Sequence, residues 1–139
     1  MFTKPLNGWA NLTLGKIKPR ASYLTDIPND MLEALINFYN TNSPQTVFFD
    51  AEGYEWYLIL GYNGCYILSD KVELTEPSTY TWEEEVKSEY ICECVDELTD
   101  IFIENLIEYE KEWDLWNYDP SNDYKIKLEE LKKIIKWEE

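Results

Sequence analysis

The sequence predicts an α+β fold, and three observations carry that prediction. Residues 46–75 hold short runs of β-branched, aromatic and other apolar residues between turn signals, the mark of strands. Apolar residues recur at helical spacing on either side of that region, at 28–39 and from 82 onward. The 139 residues include 6 Trp, 11 Tyr and 5 Phe within an apolar fraction of 45%, which is core material for one ordinary domain spanning 1–139.

In chain order, Trp9 to Ile17 reads as a strand with Leu12 and Leu14 on one face. A helix follows from about Pro28 to Tyr39, with Pro28 in its first turn and Leu32, Leu35, Ile36 and Tyr39 on its apolar stripe. Asn40 to Pro44 breaks it. Thr46 to Asp50 is a strand, Glu52-Gly53 a turn, and Tyr54 to Leu60 a second strand, apolar on both faces and therefore central. Asn63-Gly64 predicts a type I′ hairpin turn. Cys65 to Ser69 is the third strand, and Lys71 to Thr75 supplies a fourth at the edge. The whole is an antiparallel β-meander of three to four strands. Thr81 and Glu84 match a capping box, which opens a long acidic helix expected to run to Asn117. A shorter helix restarts at Asp119-Pro120, with Tyr124, Leu128, Leu131 and Ile135 on one face.

The charge is unevenly placed. The chain carries 28 acids against 12 bases, net −16. Residues 82–119 hold fourteen of those acids and two bases, net −12, whereas residues 1–45 and 120–139 are close to neutral. Within the expected long helix Glu85, Glu89, Glu93, Glu97, Asp100, Glu104, Glu108 and Glu112 recur at steps of three or four, one continuous row on a helix face. At 1.5 Å per residue the row would extend roughly 40 Å. Like charges at such spacing destabilise a helix by about 0.2–0.5 kcal/mol per pair, and only Lys87 and Lys111 offset them. Glu83, Glu84 and Glu85 need no further purpose, since acids favour a helix start. Tyr90, Tyr109, Trp113, Trp116 and Tyr118 accompany the row. Aromatics among carboxylates suit capture of Arg and Lys, and of these Trp113, Trp116 and Tyr118 at the helix end form the expected exposed cluster. The same residues equally suit a solvated face over a core.

Several functions are disfavoured. A chain this acidic is repelled by nucleic acid and anionic lipid. With no histidine, Ser–His and Cys–His pairs and His-ligated metals are excluded. Cys65, Cys92 and Cys94 are odd in number, against a disulfide framework; as core residues they imply no metal site, and no cofactor is expected. Asp50, Glu52 and Asp70 lie near turns and keep a carboxylate-site enzyme open as an alternative. Lys16, Lys18 and Arg20 form the one positive cluster, expected to pair internally with the acidic helix. The sequence from Met1 to Gly8 lacks the apolar region of a secretory signal, which predicts a cytoplasmic protein.

The row from Glu85 to Glu112 with its aromatics, together with size and charge, resembles the small acidic inhibitor proteins of bacteria and phages. These are immunity proteins that neutralise nuclease toxins, and DNA-mimic anti-defence proteins that fill a nucleic-acid channel. The element order around Asp50-Ala51-Glu52-Gly53 is also similar to the SUKH-type immunity superfamily. The resemblance implies a non-enzymatic inhibitor of a basic, nucleic-acid-handling protein. Its partner-binding residues would be Glu85, Glu89, Glu93, Glu97, Asp100, Glu104, Glu108, Glu112, Trp113 and Trp116, with no direct nucleic-acid or membrane contact. An anti-restriction or anti-CRISPR role is the nearest alternative, and a structural adaptor a further one.

Overall fold

The structure, a computed structural model, describes residues 1–69, 87–116 and 123–138. Asn7 and Gly8 both adopt positive φ, 52° and 80°, and turn the chain so that Leu6 and Trp9 exchange backbone hydrogen bonds of 3.0 Å. The hairpin continues to a bridge between Phe2 and Leu12. Strand β1 (Trp9–Asn11) pairs antiparallel with β2 (Arg20–Ser22), so the strand expected over 9–17 stops at Asn11. The loop from 13 to 17 instead lies against the main sheet, as described below.

Helix α1 (Ile27–Thr41) opens with Asp26, whose carboxylate accepts the Asn29 N–H and side-chain amide, and closes at Asn42 in the left-handed region. Pro28 sits in its first turn, and Ile27, Met31, Leu32 and Leu35 are its buried stripe, as the spacing predicts. The sheet comprises β3 (Gln45–Asp50), β4 (Glu55–Gly61), β5 (Gly64–Ser69) and β6 (Lys87–Cys92), antiparallel and in sequential order. The first three match the strands read from the sequence, and β4 is indeed central. The segment Lys71 to Thr75 and the capping box at 81–84 lie outside the described residues.

The turn expected at Glu52-Gly53 forms, while the one expected at Asn63-Gly64 takes another conformation. Consecutive positive φ angles occur at Glu52 (53°) and Gly53 (151°), where Ala51 N–H meets Tyr54 O at 3.0 Å. At the other hairpin Gly61 pairs with Gly64, and neither Tyr62 nor Asn63 has positive φ; Gly64 alone does, at 135°. A type I′ turn is therefore absent there. Gly64 is needed for space as well, since a Cβ would lie 2.6 Å from the Tyr90 ring.

The inner sheet face presents Val47, Phe49, Trp56, Leu58, Leu60, Cys65 and Ile67, all buried. Phe49 and Trp56, paired in register, stack at 4.0 Å with their planes 6° apart. Helix α1 packs on β3, and helix α2 (Val95–Glu108) on β5 and β6. A short α3 (Glu110–Asp114) follows, and α4 (Tyr124–Ile135) packs on α1. Tyr124 donates to Asp114 at 2.5 Å and Lys125 Nζ reaches Asp114 and Glu110 at 3.1 and 3.0 Å, tying α4 to α3. No helix among the described residues is long and apolar enough to cross a membrane.

The long helix expected over 81–117 does not form as such. Residues 87–92 complete the sheet, pairing Ile67 with Glu89 and Cys65 with Cys92. Cys94 is extended (φ −150°, ψ 159°) and starts α2. Ladder hydrogen bonds to β5, and a partner for Glu89, outweigh a helical register that would have stacked like charges.

The β5–β6 pairing sets the chemistry of the thiols. Cys65 and Cys92 are buried cross-strand neighbours, and Cys94 is exposed. Burial, then the neighbouring Cys92, pushes the Cys65 thiol up to about 12; burial, then Glu97, pushes Cys92 up to about 11. At about pH 8 iodoacetamide is expected to alkylate Cys94 in the native protein, and Cys65 and Cys92 only in urea. Equal native labelling of all three would contradict the placement. The sign of the pH effect follows. Unfolded thiols ionise near 9.0 while the folded ones hold their protons, so stability is expected to fall as pH rises from about 9 to 11.

Candidate functional site

The acidic residues divide among different elements. Glu85 lies outside the described residues. Glu89 is half-buried on β6 and accepts the backbone N–H groups of Lys16 and Ile17, the latter at 2.9 Å. It fastens the 13–17 loop to the sheet and takes no part in a helical row. Glu93 is exposed in the bend before α2. Glu97, Asp100, Glu104 and Glu108 are exposed on α2, and Glu112 follows on α3.

The break between α2 and α3 is one residue, Tyr109 (φ −111°, ψ 33°). Tyr109 N–H still donates to Asn105 O at 3.1 Å, and Trp113 N–H to Tyr109 O at 2.9 Å, so the helical path bends without being lost. Five of the eight expected carboxylates thus remain on one helical run, over about 22 Å at 1.5 Å per residue. Residues 93–114 contain nine acids and one base, Lys111. Glu112 pairs with Lys4 at 3.4 Å. Glu97, Asp100, Glu104 and Glu108 make no ion pair among the described residues. Asp96 and Glu97 lie in the first turn of α2, where the helix dipole favours them; the last turn contains Glu108 and no base. The i,i+3 and i,i+4 neighbours from Glu97 to Glu112 sum to about 1–2 kcal/mol of repulsion at low salt.

Asp96, beside the row and not in it, is engaged by α1. It accepts the Tyr39 hydroxyl at 2.6 Å, and Tyr39 also meets Thr99 at 3.1 Å. Burial and the Asp96 bond hold the Tyr39 phenol well above its usual range.

The expected aromatic contacts are corrected. Trp113 and Trp116 are each 2% exposed. Trp113 packs edge-on to Phe2 at 5.8 Å, and Trp116 Nε1 donates to Thr25 O at 2.8 Å. Both belong to the core that joins the N-terminal hairpin to α3. Tyr109 is half-buried, and Tyr118 lies outside the described residues. Tyr90 is exposed, but on the outer face of β6, where it meets Tyr66 at 5.5 Å.

Exposed apolar groups beside the row went unread in the sequence. Ile107 is exposed between Glu104 and Glu108. Leu6 and Leu115, 69% and 71% exposed, flank a cleft of about 310 Å³ that Glu112 and Trp116 also line. A long chain separation conceals the Leu6–Leu115 pairing; the exposed position of Ile107 on an acidic helix face is a local signal.

The carboxylates of the alternative reading are partly engaged. Asp50 Oδ1 accepts the Glu52 N–H at 2.7 Å and closes the turn; Asp70 lies outside the described residues. No metal-binding group of His, Cys, Asp and Glu occurs among the described residues. Of the basic cluster, Arg20 stacks over Trp9 and Tyr54 at 5.3 and 5.8 Å and donates to Ala51 O, while the Lys16 backbone serves Glu89. No family model, curated protein or solved structure matches the chain.

Proposed function

We propose that the protein is a non-enzymatic acidic inhibitor of the immunity type, which holds a basic, nucleic-acid-handling protein against α2 and α3 and blocks its substrate site. One observation carries this reading: Glu97, Asp100, Glu104 and Glu108 are exposed in a helical row that makes no ion pair among the described residues, with the half-buried Met1 ammonium attracted to Glu108 and Glu104. A cationic partner would relieve that repulsion, and the field of such a row speeds encounter with a basic surface. The exposed Ile107 supplies apolar contact within the same face. Trp113 and Trp116 enter this reading only as supports that fix α3.

The spacing of about 6 Å per helical turn of carboxylates favours one second reading, imitation of a phosphate backbone by an anti-defence protein. The two share a surface and differ in the partner.

Affinity capture of the full chain from its native cells, with the bound proteins identified by mass spectrometry, tests the class. A basic nuclease or nucleic-acid-binding effector is the expected partner, and only neutral or acidic partners would overturn the proposal. With that partner, the triple variant E97K/D100K/E104K is expected to associate about 10- to 100-fold more slowly and to show weaker salt dependence. Unchanged rate and salt slope would remove α2 from the interface.

A further inference from the structure

A second surface lies at the other side of the sheet and does not rest on the α2 row. Among the described residues, strand β3 is an edge, paired with β4 alone. Ala51 N–H bonds Tyr54 O across the hairpin, so by strand alternation Phe49, Val47 and Gln45 direct their backbone groups to β4. Asp50, Phe48 and Thr46 must then direct theirs outward. Asp50 does so visibly, since its N–H donates to Thr25 Oγ1 at 2.8 Å. The outward N–H and C=O of Thr46 and Phe48 meet no partner among the described residues. The opposite edge differs, because Glu89 draws the 13–17 loop against β6.

The open edge borders a groove of about 260 Å³ between β3 and α1, where Asp30 and Glu33 line one wall and Val47 lies at its base. Burial first, then Asp26 and Glu33, raises the Asp30 carboxyl, and Lys127 opposes that rise. Lys127 reaches Glu33 only at 3.9 Å, with both side chains well exposed, a weak pairing. On the outer face Phe48 is 41% exposed and touches Tyr57 at 5.7 Å.

We infer that the β3 edge docks an extended segment of a partner protein by strand addition, with lysine or arginine directed into the Asp30–Glu33 groove and apolar residues laid beside Phe48. Two-residue alternation of a strand delivers both at once: side chains on one face enter the groove and those on the other cover the aromatic surface. Backbone bonds to Thr46 and Phe48 supply affinity, and the acidic groove supplies selectivity. A second copy of this chain fits poorly, because it would bring Asp30 and Glu33 against their own equivalents on a molecule of net charge −16.

Titration of the ¹⁵N-labelled full chain with a blocked eight-residue peptide alternating lysine and valine tests this, with a glutamate–valine peptide as control. Shifts and slowed exchange at the Thr46 and Phe48 amides are expected with the lysine peptide alone. Thr46→Pro removes an outward N–H and no ladder bond, and is expected to weaken binding about tenfold. Should that variant lose its fold, the paired variant D30N/E33K is expected to weaken the lysine peptide by a similar factor. Perturbation confined to α2, equal binding of both peptides, or dimerisation through β3 without peptide would each overturn the inference.

Discussion

Replacing Trp56 with alanine is expected to lower the free energy of unfolding by about 3–5 kcal/mol. That is a large share of the roughly 5–15 kcal/mol that holds a domain of this kind together. Trp56 is fully buried on the central strand, so its removal leaves a cavity that neighbouring strands cannot collapse into. It forfeits the stack on Phe49 and the bond from Nε1 to Arg20 O at 2.8 Å, which links the small sheet to the large one. Urea unfolding followed by far-UV circular dichroism measures the loss. Trp56→Phe separates the contributions: it retains a ring beside Phe49 and abandons the Arg20 carbonyl, at an expected cost of about 1–3 kcal/mol. An alanine variant within about 1 kcal/mol of the parent would mean that β4 does not occupy the centre of the core.

Trp116→Ala is expected to cost a similar 3–5 kcal/mol, and the point of the experiment is where the effect appears. A side chain at an interface lowers partner affinity while leaving the free protein's stability nearly intact. Trp116 is buried with its indole on Thr25 O, so the loss is expected in unfolding. Partner affinity at a temperature where the variant remains folded is expected to fall no more than severalfold, through the loosened α3 that carries Glu112 rather than through a lost contact. Thr25 also holds the Asp50 N–H through its hydroxyl, so the variant should loosen the junction of α1, β3 and α3 together. Fluorescence quenching by iodide gives a second measure: the indole is shielded in the parent. Unchanged stability with lost binding would return Trp116 to the surface.

The parts of the fold that were legible in the sequence are those whose partners are close in the chain. Residues 46–69 announce themselves because short apolar runs and turn residues are local properties, and α1 because Pro28 and its apolar stripe are. The acidic segment misled for a related reason. Carboxylates four apart satisfy a helical template from 85 to 112, yet Glu89 answers to backbone groups of Lys16 and Ile17, 72 or more residues away. Nothing within a short window around Glu89 distinguishes it from Glu97. Trp113 and Trp116 carry the same lesson, since Phe2 and Thr25 decide their burial. The dipeptide Asn-Gly occurs twice, at Asn7-Gly8 and Asn63-Gly64, and only the first takes two positive φ angles. The β5 register, with Gly61 opposite Gly64, assigns the second pair differently. Of the candidate site, the five carboxylates from Glu97 to Glu112 were readable as a helical row. Ile107 belongs to the same local pattern, whereas the cleft between Leu6 and Leu115 joins residues far apart in the chain.

The attachment of the first 25 residues has a consequence for how the chain reaches its native state. Phe2 O receives the Asn105 amide across 103 positions, Thr25 O receives Trp116 across 91, and Ile17 N–H finds Glu89 across 72. During synthesis the amino-terminal hairpin therefore leaves the ribosome long before any of these docking sites exists. Phe2 and Leu12, both buried in the finished core, have to wait in water until α2 and α3 have been made. Such non-local closure is entropically slow. The amino-terminal hairpin is thus the piece expected to join last, and an early-exposed apolar segment for a chaperone to hold.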